Sequence, residues 1–154
     1  EMDGIGTDNE GVLVLAATNV PWAVDPAFRR QGRFDRVLFV PPPDAVARDA
    51  VLKLMLSDRP GASGLNIAPT VGATSGFSSA DLAQVVDIAC DLAIEQSLNE
   101  NHVVDLSEKH LAEALRGARP TTLEWLTEVR NYAKFANEGG LYDDVVAFLD
   151  KHKR

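Results

Sequence analysis

Gly11-Val12-Leu13-Val14-Leu15-Ala16-Ala17-Thr18-Asn19 is followed by Asp25-Pro26-Ala27-Phe28-Arg29-Arg30-Gln31-Gly32-Arg33-Phe34-Asp35-Arg36, and then by Val37-Leu38-Phe39-Val40-Pro41-Pro42-Pro43. The first run is almost continuously apolar. That pattern predicts a strand buried on both faces of a parallel sheet, not one with a solvated face. Its polar end places Asn19 where open α/β sheets bind ligands. Arg36 to Val40 predicts a second short strand, halted by three prolines that cannot donate to a ladder. The proline triplet marks a boundary between an α/β piece, residues 1–43, and the remainder of the chain. The opening Glu1-Met2-Asp3-Gly4 reads as the end of an element already under way, so a fragment of a longer chain is expected.

Beyond the prolines the periodicity turns helical. Asp44 is placed to cap a helix carrying Val51, Leu52 and Met55. Ser78-Ser79-Ala80-Asp81 supplies a cap with an acid three residues on, and Leu82, Val85, Val86, Ala89 and Ala93 form one apolar stripe. Ser107 opens another helix with Leu111, Ala114 and Leu115 inside, closing near Gly117 and Pro120. Thr121-Thr122-Leu123-Glu124 starts a further helix with Leu126, Val129, Tyr132, Ala133 and Ala136, in which Leu123, Leu126 and Val129 are expected to be buried. Gly139-Gly140 breaks it before a last helix from about Leu141, with Val145, Phe148 and Leu149 inward and Asp143 and Asp144 in the first turn. The expected organisation is α/β then all-α: 1–43 the end of a parallel-sheet subdomain, 44–120 a helical bundle, and 121–154 a C-terminal helical extension.

Composition narrows the function classes. With a net charge of −8 the chain lacks an overall phosphate-neutralising surface, which disfavours nucleic acid as a partner. Lys151-His152-Lys153-Arg154 is the one basic cluster, and cations there complement the dipole of a helix end. Cys90, the single cysteine, lies in an apolar helical pattern, so it forms no internal disulfide, belongs to no metal-ligand cluster, and is expected to be an inert buried thiol. No signal-peptide pattern and no apolar run near 18 residues is present, and the cytoplasm is the expected compartment.

Taken by themselves, the polar and basic residues before the prolines have plain structural explanations. Asn19, two residues before Pro21, suits a turn. Arg29, Arg30, Arg33 and Arg36 would suit a solvated loop paired with Asp25 and Asp35. The whole string is more specific. Ala16-Ala17-Thr18-Asn19 with the run Asp25 to Arg36 resembles the second half of the AAA ATPase signature region, and the resemblance extends over residues 1–135. It implies a P-loop-type α/β subdomain followed by a helical lid. It also implies that Asn19 is sensor 1, helping to position the water that attacks the γ-phosphate, and that Arg30 and Arg33 reach across a ring interface toward a neighbour's ATP. A planar, permanently charged guanidinium suits charge building on a transferring phosphoryl group. Arg29 and Arg36 are left to local structure.

Gly76-Phe77-Ser78-Ser79-Ala80-Asp81-Leu82 resembles the sensor 2 region of the lid, which nominates Gly76, Ser79 and Ala80 as residues beside the nucleotide base and ribose, with a plain helix cap as the alternative. Family members commonly carry glycine where Ser79 stands, and no sensor 2 arginine occurs. Ala118 to Leu126 with Tyr132 to Ala136 looks like the C-terminal helix of the branch containing spastin and katanin.

The resemblance implies ATP and Mg²⁺ as cofactors, their ligands lying mostly upstream of Glu1, identical neighbouring subunits in a hexameric ring, and a remodelled protein substrate. No metal site, membrane or nucleic-acid partner is expected of the chain itself. It lacks the phosphate loop and the Mg²⁺-binding acidic motif, and is expected to be inactive alone. Two rivals stand beside this reading: a non-catalytic lid and tail for oligomerisation or partner docking, and the AAA domain of a membrane-tethered zinc protease, which would need a His-Glu-x-x-His helix after the lid, whereas the sequence reaches Arg154 without one.

Overall fold

The computed structural model describes residues 11–135, 137 and 140–151. The basic cluster from His152 onward, Ala136, Gly139 and the opening Glu1 to Gly4 lie outside the described residues. Six α-helices are present among those described: α1 Ala45–Ser57, α2 Ala68–Ala73, α3 Ser79–Glu100, α4 Glu108–Gly117, α5 Thr122–Phe135 and α6 Asp143–Lys151. Short 3-10 turns occupy Pro21–Ala23 and Pro26–Arg29. No described helix is long and apolar enough to cross a membrane.

The helix starts arise from side chains that satisfy free backbone N–H groups. Asp44 accepts from the Ala47 N–H at 2.8 Å and opens α1. At α3, Ser78 and Asp81 form a reciprocal capping box, as the sequence predicts. At α4, His110 takes the acid's place in the box: its Nδ1 accepts from the Ser107 N–H at 3.2 Å. That bond requires an unprotonated Nδ1, so the ring's Nε2–H donates to Gln96 Oε1 at 2.8 Å. The far end of α3 is closed by Asn101, which adopts the left-handed conformation with φ 54°.

Two compact units result. Pro42–Glu124 forms one of them. Its core runs along α3, where all five residues of the expected stripe, from Leu82 to Ala93, are buried. They pack with Leu52 and Leu56 of α1, Ile67, Phe77, Leu106, and Leu111 and Ala114 of α4. Within this unit Arg48 is buried, donating from one guanidinium nitrogen to the Pro43 carbonyl and from another to the Val71 carbonyl, each at 3.0 Å. It thereby ties the end of the proline triplet to α2.

The other unit joins the described residues up to Pro41 with those from Trp125 onward. Val129, Ala133, Tyr142, Val145 and Leu149 form its centre, covered by Trp22, Phe39, Trp125 and Leu126. Trp22 stacks on Tyr132 with ring centroids 4.5 Å apart, and Phe39 stacks on Trp125 at 5.9 Å and meets Phe148 in a T-shaped pair at 5.5 Å. The residues of α5 and α6 are therefore packed on the segment around Trp22 and Phe39. Of the three α5 residues expected inside, Val129 is fully buried, Leu126 is partly buried and Leu123 is exposed.

The two expected strands are not formed. Residues 12–17 and 35–40 have no regular secondary structure, and no strand occurs among the described residues. The parallel-sheet α/β expectation for 1–43 is thus not met by the described part of that segment, and the fold observed is helical. The physical reason is pairing: a strand exists only with a neighbour's backbone beside it. The apolar side chains remain uncovered, Leu13 at 81% and Leu15 at 82% exposure, and likewise Leu38 and Val40.

Because Leu82 is fully buried at the centre of the α1, α3 and α4 core, Leu82→Ala should destabilise the chain by about 2–5 kcal/mol, read as a lower urea midpoint at unchanged slope.

Candidate functional site

The residues expected to act in catalysis lie in the unit that contains the first described residues, on the loop between the two uncovered apolar runs. Asp25 starts the turn Pro26–Arg29 by accepting from the Ala27 N–H at 2.8 Å, and Pro26 presets the turn's first residue. Gly32, at φ 85°, then reverses the chain, a conformation that glycine adopts without strain. The Arg33 N–H donates to the Arg30 carbonyl at 3.1 Å and the Phe34 N–H to the Phe28 carbonyl at 3.0 Å, which closes the loop.

This loop separates the two arginines chemically. Arg30 is exposed, whereas Arg33 is half-buried and its Nη1 donates to the Ala27 carbonyl at 3.1 Å. Asp25 and Asp35 spend carboxylate oxygens on backbone N–H groups, Ala27 and Gly32 respectively. Asn19 is exposed, and its carbonyl accepts from the Trp125 indole N–H. A groove of about 580 Å³ runs between Val12–Leu15 and Gly32–Arg36, with Leu38 at its wall. Arg33 and Arg36 line it; Asn19 and Arg30 do not.

The residues expected beside a nucleotide lie in the Pro42–Glu124 unit. Ser79 and Ala80 occupy the first turn of α3, Ser79 exposed at its start, and the cap itself is Ser78, not Ser79. Gly76 has φ 83°, and a Cβ there would touch Pro120, Thr122 and Leu123 at 3.9–4.0 Å. Its carbonyl accepts from the Thr122 hydroxyl. The neighbours of Gly76 are therefore side chains of this chain's own Pro120 and of Thr122 and Leu123 at the start of α5.

Reasoning from sequence missed the centre of this arrangement. Asp81 is buried, and its carboxylate accepts from the Ser78 N–H at 2.8 Å, the Thr121 N–H at 3.2 Å and the Thr121 hydroxyl at 2.9 Å. Burial by itself pushes its carboxyl group up, but the bonds from Ser78 and Thr121 outweigh burial and hold it below the ordinary carboxylate value. The capping box was legible; the partnership with Thr121, forty residues on, had no local signal.

No group of three or more His, Cys, Asp or Glu side chains able to hold a metal occurs among the described residues. Cys90 is half-buried, and burial pushes its thiol above the ordinary value, with Asp87 and Asp91 adding and Arg59 opposing. That environment suppresses the nucleophilic thiolate.

Comparison with known proteins bears on the loop. The family described as "ATPase family associated with various cellular activities (AAA)" matches residues 1–42. ATP-dependent zinc metalloprotease FTSH 9, chloroplastic/mitochondrial, of Oryza sativa subsp. japonica is 48% identical over 58% of this chain and 11% of its own length. The FTSH 11 counterpart from Arabidopsis thaliana is 46% identical over the same shares. ATP-dependent zinc metalloprotease FtsH of Caldicellulosiruptor bescii is 39% identical over 76% of this chain and 19% of its own length. The chain thus spans less than a fifth of each relative. These matches support the AAA+ superfamily. They are FtsH-like, and the expected affinity with the spastin and katanin branch finds no support in them.

The lowered Asp81 carboxyl fixes the sign of a pH effect. A carboxyl group depressed in the folded state contributes stability that is present above its unfolded value and is lost as pH falls through the folded one. Asp81→Asn should therefore be less stable than the unsubstituted chain at pH 7, and the gap in urea midpoint should narrow as pH is lowered below 3.8, the ordinary aspartate value.

Proposed function

We propose that the chain is the C-terminal part of an AAA+ ATPase module, acting within a longer ring-forming protein that couples ATP hydrolysis to remodelling of a protein partner. The observation that carries this reading is the arginine loop. Within the residues that match the AAA family, a capped turn and a glycine reversal hold Arg30 exposed and Arg33 half-buried at one short hairpin-like bend.

In this reading Arg30 and Arg33 act in trans on the nucleotide of the next subunit, and Asn19 orients water or senses the γ-phosphate. ATP, when bound, supplies the phosphoryl group transferred to water. Gly76, Ser79 and Ala80 are proposed to lie beside the base and ribose; the free N–H groups of the α3 first turn suit a polar ligand there. The described residues contain no carboxylate cluster for Mg²⁺, so no metal step is assigned to them. The unit Pro42–Glu124 is proposed as the lid, and a hexamer of identical subunits as the assembly. The cytoplasm is the proposed compartment.

A second reading draws on the relatives. Three proteins 39–48% identical to the chain are named as ATP-dependent zinc metalloproteases, so the remodelled substrate would be a protein delivered for cleavage. A lid and tail that only hold a ring together is the non-catalytic alternative.

Arginine fingers matter at the transition state more than in nucleotide binding. In the full-length protein Arg30→Ala should lower ATP turnover by about 10³–10⁵-fold with nucleotide affinity little changed. Subunits carrying Arg30→Ala, mixed with subunits lacking an active nucleotide site of their own, should regain turnover wherever an intact finger faces an intact site. Where mixed rings are shown to form, a turnover no greater than the weighted sum of the two mutants would assign Arg30 to its own subunit or to local folding.

A further inference from the structure

The start of α3 is held by a segment about forty residues away in the chain. Thr121 donates to the buried Asp81 carboxylate twice, from its N–H at 3.2 Å and its hydroxyl at 2.9 Å. The Thr122 hydroxyl donates to the Gly76 carbonyl, and side chains of Pro120, Thr122 and Leu123 come within van der Waals reach of the space a Cβ of Gly76 would fill. Gly76 precedes and Asp81 follows Ser79 and Ala80, so one short strap holds the chain on both sides of them.

Such an arrangement is more than a cap. The capping box satisfies Ser78 and Asp81 without Thr121, and many helices start with no further partner. Here the carboxylate is buried and accepts three hydrogen bonds, two of them from the strap. We infer that Thr121 is a positioning residue for the nucleotide-facing turn of α3: through Asp81 it fixes Ser79 and Ala80 relative to the start of α5. This inference rests on the ATPase reading above. The strap converts a turn that could adjust to its ligand into one already set, which removes an ordering cost from binding.

The test uses the full-length ring with Thr121→Val and Thr121→Ser, reading ATP KM and kcat beside a nucleotide-free melting curve. Valine removes one charge-assisted bond, so KM should rise by about tenfold while kcat holds. Serine restores the hydroxyl and should restore KM. Should valine prevent folding, Thr122→Val removes only the bond to Gly76 and should raise KM in the same direction. A folded Thr121→Val ring with unchanged KM would overturn the inference, as would a shift in melting temperature alone or a raised KM that serine leaves uncorrected. An unsubstituted ring that binds no ATP would overturn the ATPase reading itself, and this inference with it.

Discussion

A carboxylate removed from water must be met by hydrogen-bond donors, and at Asp81 that requirement organises the Pro42–Glu124 unit from its middle. Ser78 supplies one donor and Thr121 two, so the beginning of α3 and the approach to α5 are held at a single point. Removing these donors would leave a buried anion uncompensated, which costs more than an ordinary lost hydrogen bond. From that point α3 runs with its small and branched apolar residues inward, and α1 and α4 cover it. Arg48 applies the same rule with the opposite sign. The two terminal nitrogens of its buried guanidinium are met by carbonyls of Pro43 and Val71, fixing the last proline of the triplet against α2, while its Nε has no partner.

The other unit is held differently. Flat aromatic surfaces meet there, Trp22 on Tyr132 and Phe39 with both Trp125 and Phe148. Stacked and edge-on ring pairs add directional preference to area burial. The unit combines that core with the exposed apolar run Val12–Leu15. Consecutive residues exposed in this way have neither face covered, which is the burial demand the sequence announced without the partners that would meet it. The arginine loop takes its shape from neither the aromatic core nor the uncovered run, but from its own capped turn and glycine.

Much of this was legible in the sequence. Ser78 and Asp81 at cap spacing, the five-residue stripe from Leu82 to Ala93, Asp44 before α1 and the paired aspartates in the first turn of α6 are signals spanning a few residues, and helices answer to such signals because their bonds are local. The run Asp25 to Arg36 pointed to the AAA family, and the match over residues 1–42 supports that. The branch did not follow, because Leu and aromatic residues at helical spacing in α5 serve any packed helix equally well.

What the tertiary structure decided was long-range pairing. A strand needs another strand's backbone, so an apolar run such as Val12–Leu15 states a demand for burial but cannot supply the partner. Leu123 and Val129 share one helix and similar chemistry, yet Val129 is buried and Leu123 is not, because only the elements beside each position determine that. Thr121 carries nothing in its neighbourhood that marks it as the partner of Asp81. The sequence by itself determined where helices begin and which faces are apolar, since those depend on residues within a turn or two; closure of the chain over forty residues decided which buried charge meets which donor.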